Sequence, residues 1–381
     1  MNAKITTEPF GSSPATLIRI ANAAGSVLTL TDLGATVVAL IVPARGAISD
    51  AFATARASSP QSDAPASHMP DSDSASGFVD VALGYGSYDD YMAGDKYFGA
   101  TIGRYANRIA RGELAIGGSS YELDRNQAGR HTLHGGSDGW HLRIWQYAIG
   151  ADSVTFTLHS PDGDQGFPGN ADVKVTYTLT DDDTVRITYH AASDADTVFN
   201  LTNHTYFNLD GEGAGSVMDH FVRINSSRFV PTDADSIPTG GLRDADGSAF
   251  DFRREKRIGQ DIDADDEQLA LAGGYDHNFV IDGYCGDSDV RALRTAAVVR
   301  SEITGVEMTV RTDLPGVQFY TGNYLGTDRP SKSGLVYERR SGFCLETQFF
   351  PDSPHHANFP STVFRAGEPF DSVTEYSFAL T

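Results

Sequence analysis

Two short stretches of this chain carry side chains suited to moving protons. One is Asn203-His204-Thr205-Tyr206-Phe207-Asn208, with a histidine beside asparagine in a strand-like run rich in aromatic residues. The other is Phe343-Cys344-Leu345-Glu346-Thr347-Gln348. If it forms a strand, Phe343 and Leu345 face a core and Glu346 faces the opposite side, toward a cleft. Imidazole and carboxylate are the groups whose proton affinities burial and neighbours tune toward neutral pH. A histidine taken alone is more often structural than catalytic, so the pairing with a carboxylate is what gives His204 interest.

The other chemical-looking features are weaker. Of eleven histidines, His131, His134 and His141 fall in a Gly-rich, Trp-containing segment ending at Trp145. Zinc needs three or four converging ligands, and this spacing matches neither one helix face nor a known zinc loop, so no metal is expected. His355-His356, between Pro354 and Pro360, reads as a surface pair or a loop wall. Gly135-Gly-Ser-Asp-Gly139 has the outline of a nucleophile elbow but lacks the preceding apolar strand. Gly326 to Ser333 resembles a phosphate loop with Ser331 where a glycine should be. Asp261, Asp263 and Asp265 mimic a calcium loop, yet Asp266 stands where the chain must turn at glycine and Ala272 where a glutamate should ligate. That acidic run reads instead as a helix start. The sequons at Asn200, Asn203 and Asn225 carry no meaning in a cytoplasmic chain.

The elements that must position these residues are strands. Val173, Val175, Tyr177 and Leu179 alternate with polar residues, and after Asp181-Asp182-Asp183 the alternation resumes at Val185, Ile187 and Tyr189, which predicts a hairpin. Leu114 and Ile116, then Gly117-Gly118, then Tyr121 and Leu123 predict another. Val154, Phe156 and Leu158 form one further alternating run, and Val306, Met308 and Val310 another; the best helix candidate is short, Ile262 to Leu271. The expectation is an all-β chain of packed antiparallel sheets, 1–381 as one domain. Ala51 to Gly77 interrupts the pattern with Ala, Ser, Asp and Pro and reads as a flexible surface insert between two strands.

Composition narrows the partners. The 381 residues are 40% hydrophobic and 21% charged, with a formal net charge of −22. Such a field repels phosphate backbones and anionic lipid, so neither nucleic acid nor membrane is expected as a partner. Two cysteines, Cys285 and Cys344, offer no disulfide framework. The first residues lack the apolar core of a signal peptide, and no apolar run approaches a membrane span of about 18 residues. A soluble, cytoplasmic protein is the expectation; the oligomeric state is left open.

Six segments, in order along nearly the whole chain, resemble the aldose 1-epimerase (galactose mutarotase) family. They are Gly99-Ala-Thr-Ile-Gly-Arg-Tyr-Ala-Asn107-Arg108-Ile109, Thr132-Leu-His134-Gly-Gly136, Asn203 to Leu209, Gly273-Gly-Tyr-Asp276-His-Asn-Phe279, Gly316-Val-Gln318-Phe-Tyr-Thr-Gly-Asn323 and Phe343 to Pro351. Pro161 to Gly169 looks like a family turn, and the insert at 51–77 is longer than the usual connection there. The resemblance implies a large antiparallel β-sandwich, the supersandwich of that family. It also implies an isomerase that interconverts the α and β anomers of free hexoses such as galactose and glucose, in carbohydrate metabolism, with no cofactor. By motif match, Glu346 would be the general base, His204 the general acid, and His134 a support for the ring oxygen. Asn107, Arg108, Asp276 and Gln318 would bind sugar hydroxyls.

Elementary chemistry agrees. A pyranose is a hemiacetal, so opening it needs one proton taken from the C1 hydroxyl and one given to the ring oxygen. Fixed amides, guanidinium and carboxylate supply the donors and acceptors that sugar hydroxyls require. Trp140 would either stack on the sugar or belong to the core. The alternatives are a hexose-6-phosphate epimerase of similar fold, which needs added cations, and a sugar-binding module, which needs no acid–base pair. A glycosidase would need two carboxylates across the scissile bond, with Asp276 as partner to Glu346.

Overall fold

Alternation of period two governs the computed structural model, which describes residues 3–45, 77–284, 292–327 and 329–381. In Ala171–Leu179 the apolar positions are buried and the intervening Asp172 and Lys174 are exposed. This strand pairs with Thr184–Ser193, setting Val175 opposite Tyr189 and Tyr177 opposite Ile187, the hairpin expected from the sequence. The second expected hairpin joins Glu113–Ile116 to Ser119–Glu122. Its turn residues Gly117 and Gly118 have φ of +59° and +85°, the left-handed backbone that a two-residue connection demands.

Three sheets carry most of the strands. A five-stranded meander runs through Lys4–Pro9, Thr16–Ala21, Val27–Thr31, Thr36–Pro43 and Phe78–Asp80. Its last two strands are hydrogen-bonded neighbours, Pro43 opposite Phe78, and they flank the long insert; residues 51–76 lie outside the described residues. A nine-stranded sheet is ordered Gln146–Ile149, Ser153–Ser160, Ala171–Leu179, Thr184–Ser193, Phe370–Leu380, Val306–Thr312, Arg294–Arg300, Phe221–Ile224 and Lys256–Arg257. A six-stranded sheet is ordered Tyr206–Phe207, Phe343–Gln348, Gly316–Tyr320, Asp276–Val280, Arg228–Val230 and Arg243–Asp244. Neighbouring strands in all three sheets run antiparallel, for example Phe343–Gln348 against Gly316–Tyr320. The architecture has the packed antiparallel sheets that the alternation anticipates, in the all-β sandwich that the family resemblance implies.

The six- and nine-stranded sheets share one apolar core. Phe343, Leu345, Val317, Phe319 and Phe279 from the first join Val175, Tyr177, Ile187, Val310, Tyr376 and Phe378 from the second. Tyr376 donates its hydroxyl to the Leu345 carbonyl at 3.1 Å, and its ring lies 5.2 Å from Phe207. Trp140 belongs to this core, 2% exposed, with Gly103 lying so close that a Cβ there would meet the indole at 2.1 Å. That settles its two readings in favour of packing.

Helix is scarce. The expected helix at Ile262 to Leu271 is shorter and begins later, at Glu267–Ala272. Asp266 has extended backbone and accepts the Gln268 N–H, so the cap falls there and the preceding acidic residues form turns. None of the described helices is long and apolar enough to cross a membrane.

Phe319 is fully buried, with Phe252 and Tyr275 at 5.5 and 5.6 Å. Phe319→Ala is expected to lower unfolding free energy by about 3–5 kcal/mol in denaturant titration. A loss below about 1 kcal/mol would show that this apolar face does not anchor the sheet.

Candidate active site

Three neighbouring strands set nine residues in a grid on one face of the six-stranded sheet. Tyr320 pairs with Cys344 on one side and Asp276 on the other, Gln318 with Glu346 and Asn278, and Gly316 with Gln348 and Val280. Directly opposed residues share a face, and so do residues two apart. The intervening residues Leu345, Val317, Phe319 and Phe279 face the core behind. Alternation therefore turns an apolar sheet into the wall of a polar cleft on its other side. Gln318 donates to Asp276 Oδ1 at 2.7 Å, which fixes both against the wall.

His204 arrives from a different element. Thr202–Asn203 pairs with Thr101–Ile102, and the His204 N–H donates to the Ala100 carbonyl at 2.9 Å. Asn203 holds the segment by donating to the Gly99 carbonyl at 2.7 Å and accepting the Thr205 N–H at 3.1 Å. The result puts His204 Nε2 at 3.6 Å from Glu346 Oε1. His204 Nδ1 lies 3.6 Å from the Cys344 sulfur.

His134 and Asn107 hold one another. The Asn107 N–H donates to His134 Nδ1 at 3.2 Å, and the His134 N–H donates to the Asn107 carbonyl at 3.0 Å. Because Nδ1 accepts, the proton of the neutral ring sits on Nε2, where it can be donated. Both residues have left-handed backbone, φ +62° and +51°. Arg108 donates to Gln127 Oε1 and to Asn107 Oδ1, at 2.9 and 3.3 Å. Asp352 braces the same segment: it accepts the Ala110 N–H on Oδ1 at 2.8 Å and donates its own N–H to the Arg108 carbonyl at 2.9 Å.

Burial dominates the electrostatics. It pushes Glu346 well above the usual carboxylate range; the Asp276 charge adds to this and Arg108 opposes it. Asp276 is raised by burial too, against the pull of Arg108 and Gln318. Burial pushes His204 down to about 4, and it lowers His134 well below the ordinary imidazole value, helped by repulsion from His204, Arg108 and His141. Burial thus favours neutral imidazoles and protonated carboxyl groups in this site.

The candidate residues named from sequence therefore divide cleanly. Glu346, His204 and His134 present donor atoms within 4.8 Å of one another. That three-atom cluster is close enough to hold a metal ion, a juxtaposition that spacing along the chain does not reveal. Asp276 and Gln318 share the wall with Glu346, and Asn107 and Arg108 stand at His134. The other histidines scatter. His131 accepts the Arg111 N–H at 3.0 Å, and His355 and His356 pack around Asp352 at 2.6 and 3.4 Å. Sequence reading missed Tyr97, whose ring lies 4.8, 4.6 and 5.7 Å from those of His134, His141 and His204. It also missed Cys344 as the neighbour of His204. Cys344 stands two residues before Glu346 on a strand, a signal that was available.

A family model described as aldose 1-epimerase matches residues 71–377. The chain belongs to the aldose 1-epimerase family. The galactose mutarotase of Bos taurus is 39% identical over 301 residues, which are 79% of this chain and 84% of that protein. The aldose 1-epimerase of Escherichia coli is 38% identical over 369 residues, 96% of this chain and 95% of that one. Among solved structures, an aldose epimerase homologue from C. elegans matches with a TM-score of 0.80 at 28% identity, covering 96% of this chain and 99% of its own. The fold of a galactose 1-epimerase from Lactobacillus acidophilus matches at a TM-score of 0.77.

The electrostatics of this epimerase can be checked by NMR. A lowered pKa means that the proton leaves at lower pH, so the ring is already neutral at pH 6. His204 is expected to show neutral-imidazole nitrogen shifts from pH 8 down to about pH 5, titrating near 4. His355, raised by its bond to Asp352, is expected to titrate above its ordinary value. A His204 ring that titrates near 6.5 would refute the lowering by burial.

Proposed function

We propose that this epimerase interconverts the anomers of free hexoses, galactose and glucose among them, with Glu346 and His204 as the proton-transfer pair. The observation that carries the reading is the approach of His204 Nε2 to Glu346 Oε1, 3.6 Å, inside a wall of sugar-binding groups. The relatives named galactose mutarotase and aldose 1-epimerase support the same reaction class. Arg108 is the cation whose charge reaches Glu346, Asp276 and His134, which suits an uncharged sugar rather than a phosphorylated one.

In the forward half-reaction Glu346 takes the proton of the C1 hydroxyl while His204, as imidazolium, gives one to the ring oxygen. The C1–O5 bond breaks and the aldehyde forms. Rotation about C1–C2 exposes the other carbonyl face. The C5 hydroxyl then attacks C1, returning its proton to His204, and Glu346 reprotonates the C1 oxygen. Burial favours protonated Glu346 and neutral His204, the protonation state that accompanies the open-chain sugar. The ionic pair that starts the cycle is the costlier form, so its proton transfers are driven toward opening. Asp276 adds to this bias through its charge, and Arg108 moderates it. His134, with its proton on Nε2, donates toward the ring oxygen; Asn107, Arg108, Gln318 and Asp276 hold the hydroxyls.

Polarimetry on freshly dissolved α-galactose and α-glucose tests the assignment. Glu346→Gln and His204→Asn are each expected to lose on the order of 10²–10⁴-fold in kcat, and the double variant less than the product of the two. Wild-type kcat should fall toward acid as His204 and Glu346 are both protonated, near pH 4, and toward alkali as the pair loses its single proton above the raised Glu346 value. A folded Glu346→Gln protein with near-normal kcat would move the base elsewhere, Asp276 first.

A separate measurement addresses the His134, His204 and Glu346 cluster. Hemiacetal opening proceeds by proton transfer, so prolonged dialysis against chelator is expected to leave mutarotation unchanged. A large loss restored by a divalent ion would assign those three donors to a metal.

A further inference from the structure

Beside the sugar-binding residues, on the same face of the sheet, lie two polar side chains that the proton-transfer scheme does not use. Asn278 and Gln348 are 1% and 0% exposed, and neither the oxygen nor the nitrogen of either side-chain amide has a hydrogen-bond partner among the described residues. Glu346 Oε2 and Gln318 Oε1, both buried, are unpartnered as well. The strand register places the four residues together. Gln348 follows Glu346 by two residues on the same face, and Asn278 stands beside Gln318 in the same row. Gly316, opposite Gln348 and Val280, lies between the two amides. A Cβ at Gly316 would come within 2.3 Å of Asn278 Oδ1, so the amide of Asn278 leans over the space that this glycine leaves.

Six unpaired polar atoms in one patch are expensive. Each buried group left without a partner costs about 1–3 kcal/mol, and native proteins pair nearly all of them, with ordered water where protein atoms do not reach. A buried water is stable where two to four polar groups converge on it, which is what this patch supplies. Apolar side chains would be the simpler filling, as Phe279, Val317 and Leu345 show on the other face of the same strands. Amides at these two positions give up packing stability and gain hydrogen-bonding capacity directed at the row that carries Glu346.

We propose that Asn278 and Gln348 bind a small cluster of ordered water beside the sugar site, which hydrogen-bonds Glu346 Oε2 and Gln318 Oε1. The two amides are thereby positioning residues: they fix the rotation of the Glu346 carboxyl, so that Oε1 stays directed at His204 and the sugar while Oε2 is held by the water. The water also supplies polarisable dipoles to a carboxyl that must pass between charged and neutral forms in each turnover. The kinetic part of the proposal rests on reading Glu346 as the base; the water cluster itself does not.

The test has two arms. In a crystal structure of the wild-type protein at a resolution that orders buried water, the expected result is water within hydrogen-bond distance of Asn278, Gln348 and Glu346 Oε2. Finding both amides bonded to protein atoms with no water between them would overturn the proposal. In the second arm, Asn278→Leu and Gln348→Met preserve volume and remove the polar atoms. The expected outcome is a roughly 10–100-fold lower kcat, the worth of one hydrogen bond to a charged group, with KM changed less than about twofold. The melting temperature should hold or rise, because apolar groups replace unpaired amides. Asn278→Ser, which keeps a hydroxyl and leaves room for water, should recover most of the loss. Wild-type kcat in the folded Leu and Met variants would overturn the positioning role. Should those variants fail to fold, the crystallographic arm decides alone. Water present together with an active Glu346→Gln protein would refute the base assignment and leave the water site standing.

Discussion

Everything in the cleft depends on the cross-strand register of Asp276–Val280, Gly316–Tyr320 and Phe343–Gln348. Antiparallel pairing with a side-chain period of two makes one face of these strands aromatic and the other polar. A slip of one residue would send Glu346 and Gln318 into the core and turn Leu345 and Phe319 to the cleft. The core thus enforces the site: burying Phe319, Leu345 and Val317 leaves only one orientation for the carboxylate and amides between them. Loops then add what the sheet cannot. His204 and His134 come from turns tied to backbone at Ala100 and Asn107, so the approach of imidazole to carboxylate is set by main-chain hydrogen bonds rather than by flexible side chains.

The same burial that stabilises the fold sets the chemistry. In water at pH 7 the carboxyl would be ionised and roughly a quarter of the imidazole rings would carry a proton. In this cleft, desolvation raises the one and lowers the other until the neutral forms are favoured. Cys344, whose thiol is held protonated by burial and by the carboxyl groups of Glu346 and Asp276, completes the neutral surroundings of His204. A site of this kind suits a reaction with no net proton uptake or release, because each proton given at one end is recovered at the other.

Much of this was legible from residue types. The alternation around Glu346 indicated both its strand and its direction, and the hairpins at 171–193 and 113–122 were readable because polar turn residues separate clear period-two runs. What alternation cannot supply is which strands pair. Asn278 and Gln348 each read as an ordinary polar residue on a strand, and only the pairing through Gly316 brings them to one patch. His131, His134 and His141 looked alike in sequence, yet one faces the cleft, one packs against Tyr97 and one is paired near Asp235, because the Gly-rich turns between them redirect the chain. The helix start was misplaced for a local reason: acidic residues favour a first turn, but Asp266 was the one whose backbone is extended and able to cap.

The nine-stranded sheet has its latest-made strand near its middle. Phe370–Leu380 lies between Thr184–Ser193 and Val306–Thr312, with which it pairs along most of its length. On the ribosome, the strands before residue 200 and those after residue 220 therefore wait as two separate sheets, each with an open edge. The edge strands, Thr184–Ser193 and Val306–Thr312, carry alternating apolar side chains, the kind of border that recruits stray chains. Only when residue 380 has cleared the exit tunnel can one strand close both edges at once. The architecture that gives the mature protein a continuous sheet thus leaves its nascent form dependent on Phe370–Leu380, and termination before residue 370 would leave both edges open.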